Sequence, residues 1–115
     1  MAVLDDLITD WLTVPEAAER LGVDVTKVRQ LLRERKLVGV RRNGVLQVPA
    51  AFIQDGGVLK GLPGTLTVLA DCGFSDDEAL RWLFTADDSL PGSPAQALVE
   101  NRGTEVKRRA QALAI

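Results

Sequence analysis

The chain has 115 residues, 46% of them apolar, and a formal net charge of −2, so it has enough apolar surface for the core of a small folded domain. It contains no histidine and one cysteine, which excludes imidazole-based catalysis, internal disulfides and cysteine-rich zinc sites. No apolar run approaches the ~18 residues of a membrane span, and the N-terminus is acidic rather than basic like that of a signal peptide, so we expect a cytoplasmic protein with no membrane partner.

The first predicted helix begins after Thr13. Thr13 and Glu16 have the spacing of a capping box, and Pro15 lies early in the helix, where a missing N–H group is harmless. Apolar residues follow at helical spacing, namely Val14, Ala17, Ala18 and Leu21. Gly22 ends this helix, and Asp24 is placed to cap the next one. The pattern therefore predicts two helices joined by a glycine turn.

The second predicted helix has an apolar side and a polar side. Because successive helical residues turn by ~100°, four apolar side chains lie together: Val25, Val28, Leu31 and Leu32. The opposite side carries Thr26, Gln30 and Arg33 near its centre, with Lys27 and Arg29 at its edges. We expect this helix to pack on the first one and to present hydrogen-bonding and cationic groups to water.

A β-hairpin is predicted after the second helix. Two β-prone runs, residues 37–41 and 45–48, flank the Arg-Asn-Gly sequence at 42–44. An Asn-Gly pair between such runs is the strongest short hairpin signal. Residues 11–12, Trp-Leu, are candidates for a short third strand. The tip of the predicted hairpin is basic.

The rest of the chain is predicted to be helical after a short turn that opens at Pro49. Residues 55–57, Asp-Gly-Gly, are the expected joint between the two halves. Four helices follow, with expected starts at Pro63, Ser75, Ser93 and Thr104. The predicted fold is mainly α with a small β-hairpin. It divides into an acidic, flexible N-terminus at 1–10, a helix–helix–hairpin domain at 11–57 and a C-terminal helical bundle at 58–115.

Basic residues are concentrated in one part of the chain. Residues 20–42 contain eight lysines or arginines and two acidic residues, whereas residues 1–10 and 61–115 are both net acidic. Taken alone, a charged helix face is most often only a solvated surface. Combined with the hairpin and the glycine turn, the asymmetry favours an anionic partner, and the acidic remainder limits nonspecific association.

The two helices, the glycine turn and the basic hairpin resemble a winged helix-turn-helix of the MerR or excisionase type. The similarity covers about 40 residues and includes Ala18 in the first helix, Gly22 at the turn, and Val28 and Leu31 beyond it. The whole chain is similar to small actinobacterial winged-helix DNA-binding proteins, a family that includes a mycobacterial substrate of the Ser/Thr kinase PknL. Residues 73–113 also resemble the C-terminal domains of ParS/Xre-type antitoxins.

The resemblance implies that residues 25–34 lie in the major groove of DNA and that a wing at 41–44 contacts the backbone. Arg29 and Arg33 carry donors that suit guanine, Gln30 suits adenine, and Thr26 suits a phosphate or a thymine methyl group. The candidates for phosphate contacts are Lys27, Arg35, Lys36, Arg41 and Arg42. At the wing turn, Asn43 and Gly44 let the backbone approach DNA closely.

The favoured hypothesis is a protein that binds double-stranded DNA, as a transcriptional regulator or a nucleoid-associated factor, with no catalytic residues, metal or cofactor. The alternative is a protein-interaction adaptor or antitoxin-like module whose C-terminal helices bind a protein partner or a second copy of the chain. No enzyme is expected, because no nucleophile, base and orienting group have a recognisable spacing. The acids at 76–78 are interpreted as first-turn charges that complement a helix dipole.

Thr9 is the candidate phosphorylation site. It lies in the acid-rich N-terminus just before the helix-turn-helix, and the family resemblance includes a substrate of a Ser/Thr kinase. A phosphate would add about −1.5 to −2 charges near a basic surface. We therefore expect phosphorylation of Thr9 to weaken DNA binding.

Overall fold

Two groups of elements follow one another in the computed structural model, which describes residues 7–90 and 92–113. The first group consists of β1 (Trp11–Thr13), α1 (Val14–Leu21), α2 (Val25–Arg33), β2 (Val40–Arg42) and β3 (Val45–Pro49). A 3₁₀ turn (Ala50–Phe52) and two short strands, β4 (Ile53–Gln54) and β5 (Gly57–Val58), lead to the second group. That group consists of α3 (Leu62–Asp71), α4 (Asp76–Phe84), α5 (Pro94–Val99) and α6 (Gly103–Ala112). The predicted fold class, mainly α with a small β-hairpin wing, is confirmed.

The helix-turn-helix forms at the predicted residues. The Thr13 hydroxyl oxygen accepts a hydrogen bond from the Glu16 amide at 3.3 Å, and the Glu16 carboxylate accepts one from the Thr13 amide at 2.8 Å, which completes the capping box. Gly22 ends α1 in the left-handed conformation, with φ of 70°. The Asp24 carboxylate then caps α2 by accepting a hydrogen bond from the Lys27 amide at 2.9 Å. Three local signals therefore fix both helix starts and the turn between them.

The wing is part of a three-stranded antiparallel sheet in the order β1-β3-β2. Asn43 and Gly44 both have positive φ, 53° and 79°, as a type I′ hairpin turn requires. The third strand is confirmed, since Trp11 pairs with Pro49. The first arm begins later than predicted, at Val40, which is the first residue that pairs with β3; Leu37 and Val38 precede the strand and are buried in the core.

Residues 55–57 form part of a second hairpin instead of an open joint. Ile53 pairs with Val58 and Gln54 with Gly57. Asp55 and Gly56 between them have φ of 52° and 76°, the same turn chemistry as in the wing. The prediction missed this hairpin because each arm has only two residues and shows no alternating pattern.

The C-terminal helices pack in pairs, α3 on α6 and α4 on α5. Ser75 and Glu78 form the predicted capping box of α4. The prediction for α6 was wrong: the helix begins at Gly103, with Arg102 at the N-cap, and Thr104 lies inside its first turn. Across the described ranges, none of the helices combines the length and the apolar character that crossing a bilayer requires.

One continuous cluster of buried side chains runs through both groups of elements. At the junction, the rings of Phe52 and Phe84 lie 5.4 Å apart between centroids. The described N-terminal residues join this packing, because Ile8 is buried and the Asp10 carbonyl accepts a hydrogen bond from the Ala50 amide at 3.0 Å. The first six residues of the expected flexible N-terminus lie outside the described ranges.

Candidate nucleic-acid interface

Helix α2 presents a polar face away from the core. Val28 is fully buried, and the other apolar residues of the helix, Val25, Leu31 and Leu32, are partly buried against the core. On the opposite side the exposed residues are Thr26, Lys27, Arg29 and Arg33. Gln30 is half-buried, and its amide nitrogen donates a hydrogen bond to the Glu34 carboxylate at 3.1 Å. The arrangement of the helix faces predicted from the sequence is therefore present in the structure.

A hollow separates α2 from the wing. Its lining comes from the start of α1, from α2 and from the wing, with the residues Val14, Pro15, Arg29, Arg41, Gly44, Val45 and Leu46. Arg41 is exposed, and its guanidinium donates to the Gly44 carbonyl at 3.4 Å. Asn43 is exposed at the turn. The hollow thus brings a cation of the helix and a cation of the wing to one concave surface.

Four cations of this region have no ion pair with any residue that the structure describes: Lys27, Arg29, Arg33 and Arg41. We call these four residues the unpaired cation face. Their charges face water, where ordinary counterions screen them. The cations of such a surface are available to bind an anionic polymer.

Arg42 occupies a different environment from Arg41. Its guanidinium carbon lies 4.5 Å from the centroid of the Trp11 ring, and its Nη1 donates to the Gln47 side-chain oxygen at 3.1 Å. Arg42 is half-buried, and Trp11 is itself held by a hydrogen bond from its ring nitrogen to the Ile8 carbonyl at 3.1 Å. The side chain therefore packs along the sheet, whereas the sequence suggested an exposed residue at the tip of the wing.

The two cations after α2 are paired within the chain. Arg35 Nη1 lies 3.0 Å from Asp76 Oδ1, and Lys36 Nζ lies 3.6 Å from Glu34 Oε1. The hydrogen bond from Gln30, followed by the charge of Lys36, lowers the pKa of Glu34 below its ordinary value. The sequence suggested no role for Glu34, and for Asp76 it suggested only a first-turn charge that complements the helix dipole. The spacing of Gln30 and Glu34 on one helix could have revealed the first contact, whereas the second joins residues 41 positions apart.

Thr9 lies beside another hollow. This hollow is lined by the N-terminal segment, the end of α1 and the residues around the 3₁₀ turn, including Asp10, Arg20, Ala50 and Gln54. Among its described lining residues there are none from α2, and β3 contributes only its last residue, Pro49. Thr9 is exposed, so its hydroxyl is accessible, but it is not part of the surface that carries the unpaired cation face.

Comparison with known proteins places both halves of the chain in one family. The family model described as "DNA-binding protein Rv2175c, wHTH domain" matches residues 2–53, and the model described as "Rv2175c C-terminal domain of unknown function" matches residues 59–114. The DNA-binding protein Rv2175c of Mycobacterium tuberculosis (strain ATCC 25618 / H37Rv) is 48% identical over 114 residues, covering 88% of this chain and 78% of that protein.

Two further matches agree with this placement. An excisionase of Streptomyces ambofaciens is 39% identical over 46 residues, which is 40% of this chain and 74% of the excisionase. The NMR structure of Rv2175c superimposes with a TM-score of 0.84 at 44% identity, covering 92% of this chain and 82% of that one. The resemblance inferred from the sequence is confirmed. The chain therefore belongs to the Rv2175c family of DNA-binding proteins, with the family's winged helix-turn-helix domain first and its C-terminal domain second.

Proposed function

We propose that this protein binds double-stranded DNA with α2 in the major groove and the wing on the sugar–phosphate backbone, and that it regulates transcription by occupying its sites. The observation that carries the proposal is the unpaired cation face, two of whose residues, Arg29 and Arg41, line the hollow between α2 and the wing. DNA phosphates supply the missing anions, and the counterions released from DNA favour binding.

The dimensions of α2 suit the major groove. An α-helix with its side chains is about 10–12 Å across and the groove is about 12 Å wide, and the nine residues of α2 give a contact length of about 13 Å. Arg29 and Arg33 project from the exposed side and have the paired donors that bind guanine. Gln30 is half-buried and one of its two amide donors is engaged by Glu34, so Arg29 and Arg33 are the stronger candidates for base reading.

Phosphate contacts fall mainly to Lys27 and Arg41 in this proposal, with the backbone at Asn43 close to the DNA. Arg42 supports the wing through its contacts with Trp11 and Gln47. Arg35 and Lys36 reach a phosphate only by leaving the carboxylates that now pair with them. The ten sequence-predicted residues therefore divide into exposed contacts, the supporting residue Arg42, the paired cations Arg35 and Lys36, and Gln30, which is bonded to Glu34.

Fluorescence anisotropy with labelled duplex DNA at about 50 mM and about 200 mM salt tests the interface. Lys27→Gln and Arg41→Gln should each weaken binding and reduce the salt dependence by about one phosphate contact. Arg108→Gln is the matched control, because Arg108 lies on α6, is exposed, and has no ion pair with a described residue. An equal loss for Arg108→Gln, or no salt-sensitive binding by the unaltered chain, would contradict the proposal.

Selection from random duplexes followed by sequencing tests the regulatory part. A regulator of specific genes should enrich one motif, and Arg33→Ala should relax one position of it. Binding without an enriched motif would instead assign the protein to sequence-independent DNA packaging.

A further inference from the structure

The C-terminal domain contacts the end of the proposed recognition helix through one ion pair. Arg35 follows α2 by two residues, and its guanidinium donates to the carboxylate of Asp76 at 3.0 Å. Asp76 is the first residue of α4. Both side chains are about half exposed, at 53% and 51%, so the pair lies at the surface, where DNA can also reach.

Asp76 belongs to an acidic first turn that also contains Asp77 and Glu78. Glu78 is engaged in the capping box, since its carboxylate accepts the Ser75 amide at 3.0 Å. The positive end of the α4 dipole stabilises the negative charge of all three. The Asp76 carboxylate therefore holds Arg35 with the chemistry that a DNA phosphate would use.

The pairing separates Arg35 from the rest of the proposed interface. The residues of the unpaired cation face form no ion pair with a described residue, whereas Arg35 is paired with a residue of the other domain. Lys36 is also paired, but with Glu34 two positions away, so only the Arg35 pair depends on the C-terminal domain. That domain consequently sets the charge at one edge of the surface.

We propose that the C-terminal domain restrains DNA binding, with Asp76 occupying Arg35 in place of a DNA phosphate. This inference rests on the proposed function and gives the second domain a part in it. The carboxylate removes one cation from the DNA contact and repels phosphates beyond it, so it limits the DNA footprint to the α2 face and the wing. The main effect of the Asp76 carboxylate is to lower the affinity of the protein for DNA of any sequence.

The alternative role for Asp76 is to orient Arg35 toward a phosphate, and the two roles predict opposite results. If Asp76 competes with DNA, Asp76→Asn strengthens binding. If Asp76 orients Arg35, Asp76→Asn weakens binding. The neighbouring Asp77 provides a matched control, because Asp77→Asn removes the same charge from the same helical turn and Asp77 has no ion pair with a described residue.

The experiment compares full-length variants with a random-sequence duplex by fluorescence anisotropy over a range of salt concentrations. Asp76→Asn should bind about twofold to fivefold more tightly at low salt, as expected for a released surface ion pair. Its plot of log K against log salt should be steeper by about 0.9, which corresponds to one added phosphate contact. Asp77→Asn should show a smaller gain and an unchanged slope.

Arg35→Gln, alone and combined with Asp76→Asn, completes a double-mutant cycle for this ion pair. It should change binding little in the unaltered chain, and it should reduce the gain in the Asp76→Asn chain to that of Asp77→Asn and remove the steeper salt slope. Unchanged or weaker binding by Asp76→Asn, an equal effect of Asp77→Asn, or a gain and slope that Arg35→Gln leaves undiminished would overturn the inference while salt-sensitive binding by the unaltered chain persists. If the unaltered chain shows no such binding, the proposed function fails together with the inference.

Discussion

The winged helix-turn-helix and the C-terminal helices use the same device to start a helix, a capping box at Thr13–Glu16 in one and at Ser75–Glu78 in the other. They differ in what their cations contact. In the C-terminal helices Arg102 lies near Glu100 and Glu105, at 3.8 and 3.9 Å, and the guanidinium of Arg109 donates to Ser89 at 2.8 and 3.1 Å.

The four residues of the unpaired cation face have no such carboxylate among the described residues. A capping box therefore begins one helix in each region. Arg108 on α6 also has no ion pair with a described residue, so what distinguishes the surface that we propose for DNA is the grouping of its unpaired cations on the exposed side of α2 and on the wing. Substitutions that change packing should show whether the two regions also differ in how much stability they lose. Substitutions that change charge should show which cations contribute to DNA binding.

The largest expected effect comes from Gly39→Ala, just before the wing. A Cβ atom at this position would lie 2.5 Å from the Gln47 carbonyl oxygen and 2.9 Å from Val48 Cγ1, so the sheet would have to shift. We expect a loss of about 2 to 3 kcal/mol in the free energy of unfolding, measured by urea denaturation. Gly64→Ala on α3 is the matched substitution in the other region.

Gly64 has space for a methyl group, since a Cβ atom at this position would have Lys107 Nζ, at 4.0 Å, as its nearest neighbour. Gly64→Ala should raise the free energy of unfolding by about 0.4 to 1 kcal/mol, because alanine restricts the unfolded chain. If Gly39→Ala unfolds at the same urea concentration as the parent, the close approach of residue 39 to β3 is not a constraint on the wing.

The next effect separates base reading from backbone contact. Arg33→Ala should cost about 1 to 3 kcal/mol at one base position and leave binding to random duplexes less affected. Arg41→Ala should weaken binding to specific and random duplexes equally. Competition between a selected duplex and a random one measures both. Equal losses on both duplexes for Arg33→Ala would remove its role in specificity.

Arg42→Ala tests the contact between the wing and β1. Loss of the stacking on Trp11 should lower the free energy of unfolding by about 0.5 to 1 kcal/mol and should change the tryptophan fluorescence. Binding to all DNA sequences should weaken alike because the wing is less well supported. Arg41→Ala is the control for fluorescence, and a similar spectral change in that variant would show that the signal does not report the Arg42 contact.

The capping boxes should make both regions sensitive to acid in the same direction. The hydrogen bonds to Thr13 and to Ser75 lower the pKa of Glu16 and of Glu78 below the ordinary value of 4.5. Their contribution to stability is therefore complete above pH 4.5 and is lost as the pH falls through the lower pKa of the folded state.

Urea denaturation between about pH 5 and about pH 3 measures this loss. Glu16→Gln and Glu78→Gln should each reduce the pH dependence, since glutamine keeps a hydrogen-bonding oxygen but does not titrate there. Glu19→Gln removes a carboxylate of α1 outside the box and serves as the control. The same reduction for all three variants would rule out the capping boxes as its cause.

Local signals made most of the fold predictable. These signals each act within four residues of the chain, so they can be predicted from the sequence. They are the capping residues, Gly22 and the Asn43–Gly44 turn. The start of α6 was not predictable in this way, because its N-cap, Arg102, makes no side-chain capping bond. The Asp55–Gly56 pair is a recognisable turn sequence, but the strands on either side have only two residues each, which is too short to predict a hairpin.

The candidate site was predictable in composition and only partly in geometry. The position of α2 on the core placed Arg29 and Arg33 outward, as the helical period requires. The contacts of Arg35 with Asp76 and of Arg42 with Trp11 depend on how distant segments pack, so residue spacing does not reveal them. Which cations are unpaired is therefore a property of the tertiary structure.

The smallest expected effect concerns Thr9, for which we propose phosphorylation by a Ser/Thr kinase as a brake on DNA binding. Thr9 is exposed beside a hollow that also contains Arg20, away from the unpaired cation face. A phosphate at this place acts on DNA through its long-range field, which salt screens within about 10 Å. Thr9→Glu should therefore lower DNA affinity less than about threefold at low salt and have no effect at high salt. Thr67→Glu, at an exposed position of α3, controls for the added charge, and Thr9→Ala controls for the lost hydroxyl. Equal affinities of Thr9→Glu and Thr9→Ala at low salt would show that charge at residue 9 does not regulate binding.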